Sequence, residues 1–317
     1  MRNSRFLRFA GLLWAVTIMF GWSGAMNNAV AEPFTVGPKV CQECHTDEAK
    51  VLSGTKHFSS VKTVHKDKRA KKIVKAIGDK RMKKSDTCKM CHYTEAQKKA
   101  GAKRKIVAGP SCESCHGPAS DWLKIHNDYG KGVKIDTESA AHKAERLQKA
   151  EAAGMVRPSK MFDVASNCMS CHGLAAPGLD EKAAAAMLDN GHPLNPDFEL
   201  VAYSQGTVRH RFYPPDVTAN KELSAAEKSQ LYVVGQAAAL VSASAAVKKS
   251  SHEKYMAAQK KRIATATAAL EAVKGSVPAA GALLADPSVA NGRALAEEVK
   301  GKDLTGAVGG MLPSKYK

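Results

Sequence analysis

Aromatic side chains are scarce, at 6% of 317 residues, so an apolar interior of ordinary size has to be filled from another source. Acidic residues are also in short supply, with 30 Asp and Glu against 48 Lys and Arg and a formal charge of +18. Beyond residue 31 no apolar run approaches the roughly 20 residues that span a bilayer, which excludes a helical membrane-spanning body. The one apolar run near the start, Leu12 to Phe20, follows Arg2, Arg5 and Arg8 and precedes Ala29-Val30-Ala31, the order of a removable export signal cut before Glu32. It is too short for a permanent anchor. A signal peptide at 1–31 is therefore expected, with cleavage near Ala31 and a soluble mature chain in the periplasm or otherwise exported. Cleavage removes three arginines and no acid, leaving +15. Such an excess fits acidic protein surfaces or, as a peripheral association, anionic lipid headgroups. Nucleic acid is not an expected partner, because the chain is exported and its basic residues are scattered rather than interleaved with aromatics.

No cysteine is left over. The eight fall into four pentads: Cys41-Gln42-Glu43-Cys44-His45, Cys88-Lys89-Met90-Cys91-His92, Cys112-Glu113-Ser114-Cys115-His116 and Cys168-Met169-Ser170-Cys171-His172. Eight cysteines in an exported chain would ordinarily read as four disulfides, but this spacing reads as c-type haem attachment. Two thiols three positions apart meet the two vinyl groups of one porphyrin, and the adjacent histidine lies against the iron as its first axial ligand. A single CxxC pair could be half a zinc site or a redox dithiol. Zinc has no need of a histidine directly after the second cysteine every time, and a dithiol enzyme would not carry four such pairs. Four covalently bound haem c groups are thus expected, at Cys41/Cys44, Cys88/Cys91, Cys112/Cys115 and Cys168/Cys171, with His45, His92, His116 and His172 as proximal ligands.

The pentads lie in a region, residues 32–213, with little clean periodicity and with short basic stretches such as Lys66 to Lys75 and Lys98 to Lys105. Four macrocycles would supply the apolar filling that the aromatic residues do not. Pro214-Pro215 marks a seam, and a cysteine-free extension follows at 214–317. There Ser224-Ala225-Ala226-Glu227 is a capping-box pattern ahead of Leu231, Val234, Ala238, Val241 and Ala245 at helical spacing, which predicts a helix over about 224–248. A second helix is predicted over about 251–274, with Ile263, Ala266, Leu270 and Val273 on one face and basic residues elsewhere, and a shorter one from Asp286-Pro287. The expected fold is mainly α: a tetrahaem domain of short helices and loops, plus a C-terminal helical hairpin packed against it. A partner-docking or dimerising role is the other reading of that hairpin.

Seven histidines remain for four vacant axial positions: His57, His65, His126, His142, His192, His210 and His252. Composition alone does not choose among them. Cys112-Glu-Ser-Cys-His116-Gly117-Pro118 with His126 ten residues on, Ser53-Gly-Thr-Lys-His57, and Phe198-Glu-Leu-Val followed by His210 resemble the tetrahaem cytochrome c-554 family over roughly residues 38 to 213. That resemblance implies a crossed ligand set: His126 for the iron of His45, His210 for that of His116, and His57 for that of His172. It also implies electron transfer in inorganic nitrogen metabolism, with a hydroxylamine-oxidising enzyme or a quinone-linked membrane cytochrome as partner.

Two departures from the family pattern stand out. Leu52 takes the place of a usual tryptophan. Where the family leaves its second haem open beside a Thr-Pro stretch, this chain reads Asn190-Gly191-His192-Pro193. His192 is accordingly the expected ligand opposite His92, with His65 its competitor, and an open iron is the third alternative. His142 and His252 are read as solvent-facing. Four irons with two imidazoles each would make an electron carrier with no vacancy for substrate. An open haem at Cys88/Cys91 would instead make an enzyme that reduces nitric oxide or a related small nitrogen oxide.

Overall fold

The computed structural model describes residues 32–213 and 216–317, so the proposed signal peptide and the Pro214-Pro215 seam lie outside the described residues. The chain is mainly helical. Its first part carries α1 (Pro38–Gln42), α2 (Thr46–Ser53), α3 (Lys56–Ser59), α4 (Lys68–Ala76), α5 (Asp86–His92), α6 (Cys112–His116) and α7 (Leu123–His126), then α8 (Ala140–Ala152), α9 (Met161–His172), α10 (Glu181–Asp189) and α11 (Leu200–Ser204). Between α5 and α6, β1 (Thr94–Ala96) pairs antiparallel with β2 (Lys105–Ala108), with a bulge at Thr94/Glu95. The extension carries α12 (Ala225–Ala246), α13 (Glu253–Val273), α14 (Pro278–Ala285), α15 (Val289–Glu298) and α16 (Thr305–Val308).

Helix α12 starts where its capping box says it should: the Ser224 hydroxyl accepts from the Glu227 N–H, and the Glu227 carboxylate accepts from the Ser224 N–H. Its burial does not follow the single stripe expected from the sequence. Val233, Val234, Ala237, Ala238 and Leu240 are all buried, whereas Ala245, at the end of the predicted stripe, is exposed. A helix apolar on all sides is a central one. Small residues make that possible: a Cβ on Gly235 would stand 2.9 Å from the Leu200 side chain, so α11 packs directly onto the α12 backbone.

The main core joins the two halves of the chain. Phe162, Ala165 and Met169 of α9 pack with Val233 and Ala237 of α12, Leu270 of α13, Leu283 of α14 and Leu295 of α15. The fourth attachment helix, α9, is therefore as much part of the extension's core as of the haem region, and Pro33–Lys317 clusters as one unit. Three smaller apolar clusters serve the remainder, one of them Val74, Met82, Cys88 and Tyr93 around the second attachment site.

Two readings of the extension are corrected. The short helix predicted from Asp286-Pro287 begins at Val289 with Ser288 as its cap, accepting from the Asn291 N–H, and α14 stands before it. His252 is not a solvent-facing helical residue. It is the N-cap of α13, accepting from the Tyr255 N–H, and its Nε2 lies 3.0 Å from Asp189.

A Cβ at Gly292 of α15 would overlap the buried ring of Phe162 in α9. Gly292→Ala is expected to lower stability by about 1–3 kcal/mol through overpacking, in spite of roughly 1 kcal/mol gained in helix propensity. Thermal unfolding followed by circular dichroism measures it.

Candidate functional site

The CxxC spacing becomes chemistry through helix geometry. In α5, α6 and α9 the pentad is the last turn of a helix, so both thiols face one way and the histidine lies beside them at the helix end. The first pentad straddles the end of α1 and the N-cap of α2, His45 being that cap residue. All eight cysteines are described and none is in a disulfide.

Each proximal imidazole faces one imidazole from a distant part of the chain. Ring centres are 6.4 Å apart for His45 and His126, 5.9 Å for His57 and His172, 6.0 Å for His92 and His192, and 6.3 Å for His116 and His210. A metal bonded to two imidazole nitrogens at about 2.0 Å holds their ring centres roughly 6 Å apart. Among the described residues no point gathers three or more His, Cys, Asp or Glu side chains in metal-binding fashion. Two imidazoles therefore fit a metal that brings its remaining donors with it, as the iron of a porphyrin does, and do not fit a zinc site built by the chain alone. The residues present fit haem c.

Several rings are held in the ligating tautomer. Nδ1–H of His116 donates to the Val156 carbonyl at 2.7 Å, that of His126 to Leu123 at 2.6 Å, that of His192 to Pro193 at 2.9 Å and that of His210 to Val208 at 2.6 Å, which leaves each Nε2 with its lone pair free. Burial disfavours the imidazolium. It pulls His92 and His172 down to about 4, with smaller contributions from their neighbouring histidines, and lowers His57, His116, His126 and His192 as well. Neutral imidazole is the form that binds metal.

It is His192 whose ring stands beside His92. His65 is half-buried with an unpartnered Nδ1 and belongs to no ring pair among the described residues. His142 sits in α8 with Nδ1 2.7 Å from Glu138.

The four sites touch in an order different from that of the chain. The Cys41 and Cys112 thiols lie against one another, which raises Cys41 above the ordinary thiol range and lowers Cys112. Cys91 and Cys171 make the equivalent contact between the second and fourth pentads. Cys115 lies near Cys168 and Cys171, and Asn167 of α9 donates to the Cys115 carbonyl at 2.7 Å. The spatial order is thus first, third, fourth, second.

With this geometry in place, comparison with known proteins is direct. Residues 40–117 match the family described as "Cytochrome c554 and c-prime". Over this stretch the chain is similar to the cytochrome c554 family. A cytochrome c-554 of Nitrosomonas europaea is 25% identical over 160 residues, covering 49% of this chain and 63% of the relative, so the match spans less than two thirds of that protein. No solved structure matches the chain. The cytochrome c554 family is one of c-type cytochromes, proteins of electron transfer with covalently bound haem c.

Sequence reasoning passed over two supports of this site. Glu113, inside the third pentad and buried, accepts from the N–H groups of Val36, Gly37 and Ala119 at 2.7–2.9 Å, tying the described N-terminal strand of chain to α6. Arg146 is nearly buried and donates to the His126 carbonyl. The hydrophilic i, i+3 and i+4 positions of α8 carried no signal for it.

Arg146 is held in turn by Glu138, whose side chain is 1% exposed and accepts from its Nε at 2.7 Å and its Nη2 at 2.6 Å. The Arg146 hydrogen bond first, and His142 after it, hold the Glu138 carboxyl at about 2. A carboxyl depressed in the folded state stabilises it fully above the unfolded value of about 4.3, and that contribution is lost as pH falls toward 2. Glu138→Gln is expected to lose it at neutral pH and to flatten the acid dependence of unfolding between about pH 4 and 2. Unfolding titrations of the two proteins at several pH values measure the difference.

Proposed function

We propose that this chain is an exported electron carrier holding four haem c groups, each gripped on both faces by imidazole. The observation that carries this reading is the set of four ring pairs at 5.9–6.4 Å, one for each CxxCH histidine. Bound haem c supplies one-electron redox chemistry. The chain's residues do the remainder. Paired thiols fix each group at one place and angle, so four can stand in contact without a large pocket apiece. Backbone carbonyls hold three of the distal rings, His126, His192 and His210, in the ligating tautomer, so little has to move when the charge of a centre changes. Imidazole on both sides leaves no position for substrate. Direct contact between the first and third pentads, the third and fourth, and the fourth and second gives a continuous path through the protein. Export is supported by the leader pattern at 1–31, and no helix among the described residues is long and apolar enough to cross a membrane.

One end of that path lies under a basic face. Residues 62–84 carry eleven Lys and Arg against Asp67 and Asp79. The segment turns its apolar residues inward: Val74 and Met82 pack with Cys88, and the Arg69 side chain lies 3.5 Å from a Cβ position on Gly191, next to His192. An acidic redox protein is the partner this face fits.

Mass spectrometry of the purified holoprotein is expected to find the polypeptide plus four tetrapyrroles, and electron paramagnetic resonance only low-spin ferric centres, unchanged by nitric oxide. His192→Ala is expected to turn one of the four high-spin and reactive toward nitric oxide. A high-spin centre that binds nitric oxide in the unaltered protein would support the small-oxide reductase instead, and fewer than four haems would defeat the tetrahaem reading.

Docking at the basic face is expected to make the association rate with an acidic redox protein fall tenfold or more as ionic strength rises, within the ~10–10³ range of electrostatic steering. The double variant Lys71→Glu, Lys72→Glu is expected to lose most of that salt dependence. Stopped-flow mixing at several salt concentrations measures both.

A further inference from the structure

Helix α9 ends on an unusual stop. Leu174 occupies the left-handed region at φ 47, a position normally given to glycine. The N–H of Ala175 donates to Ser170 and that of Leu174 to Cys171, completing a Schellman turn. This leaves the carbonyls of His172, Gly173 and Leu174 without partners from α9. Three side chains from one face of α13 take them. Arg262 Nη2 donates to the His172 carbonyl, Gln259 Nε2 to Gly173 at 2.8 Å, and Tyr255 Oη to Leu174 at 3.0 Å. Arg262 also donates to the Asn195 carbonyl at 2.7 Å.

The guanidinium in this clamp is 4% exposed, and its Nε and Nη1 have no hydrogen-bond partner among the described residues. Arginine stays charged even when buried. No carboxylate of the described residues lies within salt-bridge distance of it. The acid that acts on it, Asp197, is itself exposed and paired with Lys261 at 2.8 Å. A positive charge paired with no carboxylate of the described residues is therefore fixed in a buried corner, one hydrogen bond from the residue that would ligate the fourth iron.

We propose that Arg262 is a positioning residue of the centre at Cys168/Cys171: with Gln259 and Tyr255 it sets His172, and its charge raises the reduction potential of that centre. The inference rests on the reading of His172 as an iron ligand. It gives the C-terminal extension, which lies outside the family match at residues 40–117, a part in electron transfer. Reduction adds one electron and no proton, taking iron from ferric to ferrous and lowering the local charge by one, which a fixed neighbouring cation favours. The donor is a one-electron redox protein or, in the test, a mediator.

Spectroelectrochemical titration of the holoprotein tests it. Arg262→Met is expected to lower one of the four midpoints by at least a tenfold change in equilibrium constant, 59 mV for one electron, and to leave the other three in place. Arg262→Lys is expected to retain the unaltered midpoint. Ser242→Asp offers a second route that keeps the clamp intact, since Ser242 Oγ and Arg262 Nη1 both lie within 3.4 Å of a Cβ position on Gly173. A carboxylate there would offset the charge and is expected to lower the same midpoint. An unchanged midpoint in Arg262→Met, or an equal fall in Arg262→Lys, overturns the proposal. If Arg262→Met does not mature, Ser242→Asp decides: a fall supports the proposal and an unchanged midpoint overturns it. Failure of the underlying carrier reading would show separately, as missing haem or a high-spin centre in the unaltered protein.

Discussion

A metal reached by two imidazoles and nothing else from the chain must bring its other ligands with it, and the rest of this structure follows from that requirement. The paired rings come from positions more than eighty residues apart, as in His45 with His126 and His57 with His172. Closing loops of that length costs entropy that local contacts in the first half do not offset, because its apolar clusters are small, such as Ala119, Trp122 and Ala150 around α7 and α8. On the carrier reading, the bonds that close them run through the metal. Folding of residues 32–213 would then be inseparable from haem attachment, with the pairs serving as cross-links as well as redox ligands.

The extension has the opposite character. Its helices bury Leu270, Leu283, Leu295 and the middle of α12 in a conventional core, and α9 enters that core through Phe162 and Met169. One helix thus serves both regimes. Its N-terminal half is held by side-chain packing, while its C-terminal turn carries Cys168, Cys171 and His172. The rigid part of the molecule lends its order to the fourth attachment site by this route, and Asn167 passes it on to the third through the Cys115 carbonyl.

What could be read from sequence depended on how local each signal was. The pentads are five-residue patterns and were readable outright. The helix at α12 was readable from its capping box, and α13 from Ala266, Leu270 and Val273, within a few residues at either end. The ring pairs involve separations no periodicity reports, so His57, His126 and His210 came only through family resemblance and His192 through a departure from it. The face of α13 was half misread for a physical reason: a helical apolar stripe assigns polar residues to solvent, yet on this stripe Tyr255, Gln259 and Arg262 point inward because the end of α9 presents carbonyls there. His252 was misplaced similarly, since a histidine that caps a helix has no pattern to distinguish it from one on its surface.

Positive charge does two different things in this molecule, and the difference lies in its surroundings. The lysines of residues 62–84 face water, where their field is screened over about 8 Å at physiological salt. They can draw a partner toward the second site but can shift the energy of a buried electron only slightly. Arg262 is a single charge, yet it is buried and pairs with no carboxylate of the described residues, so its field is screened far less. Surface charge in this chain bears on where an electron is exchanged, and a buried cation with no carboxylate partner among the described residues bears on where it rests.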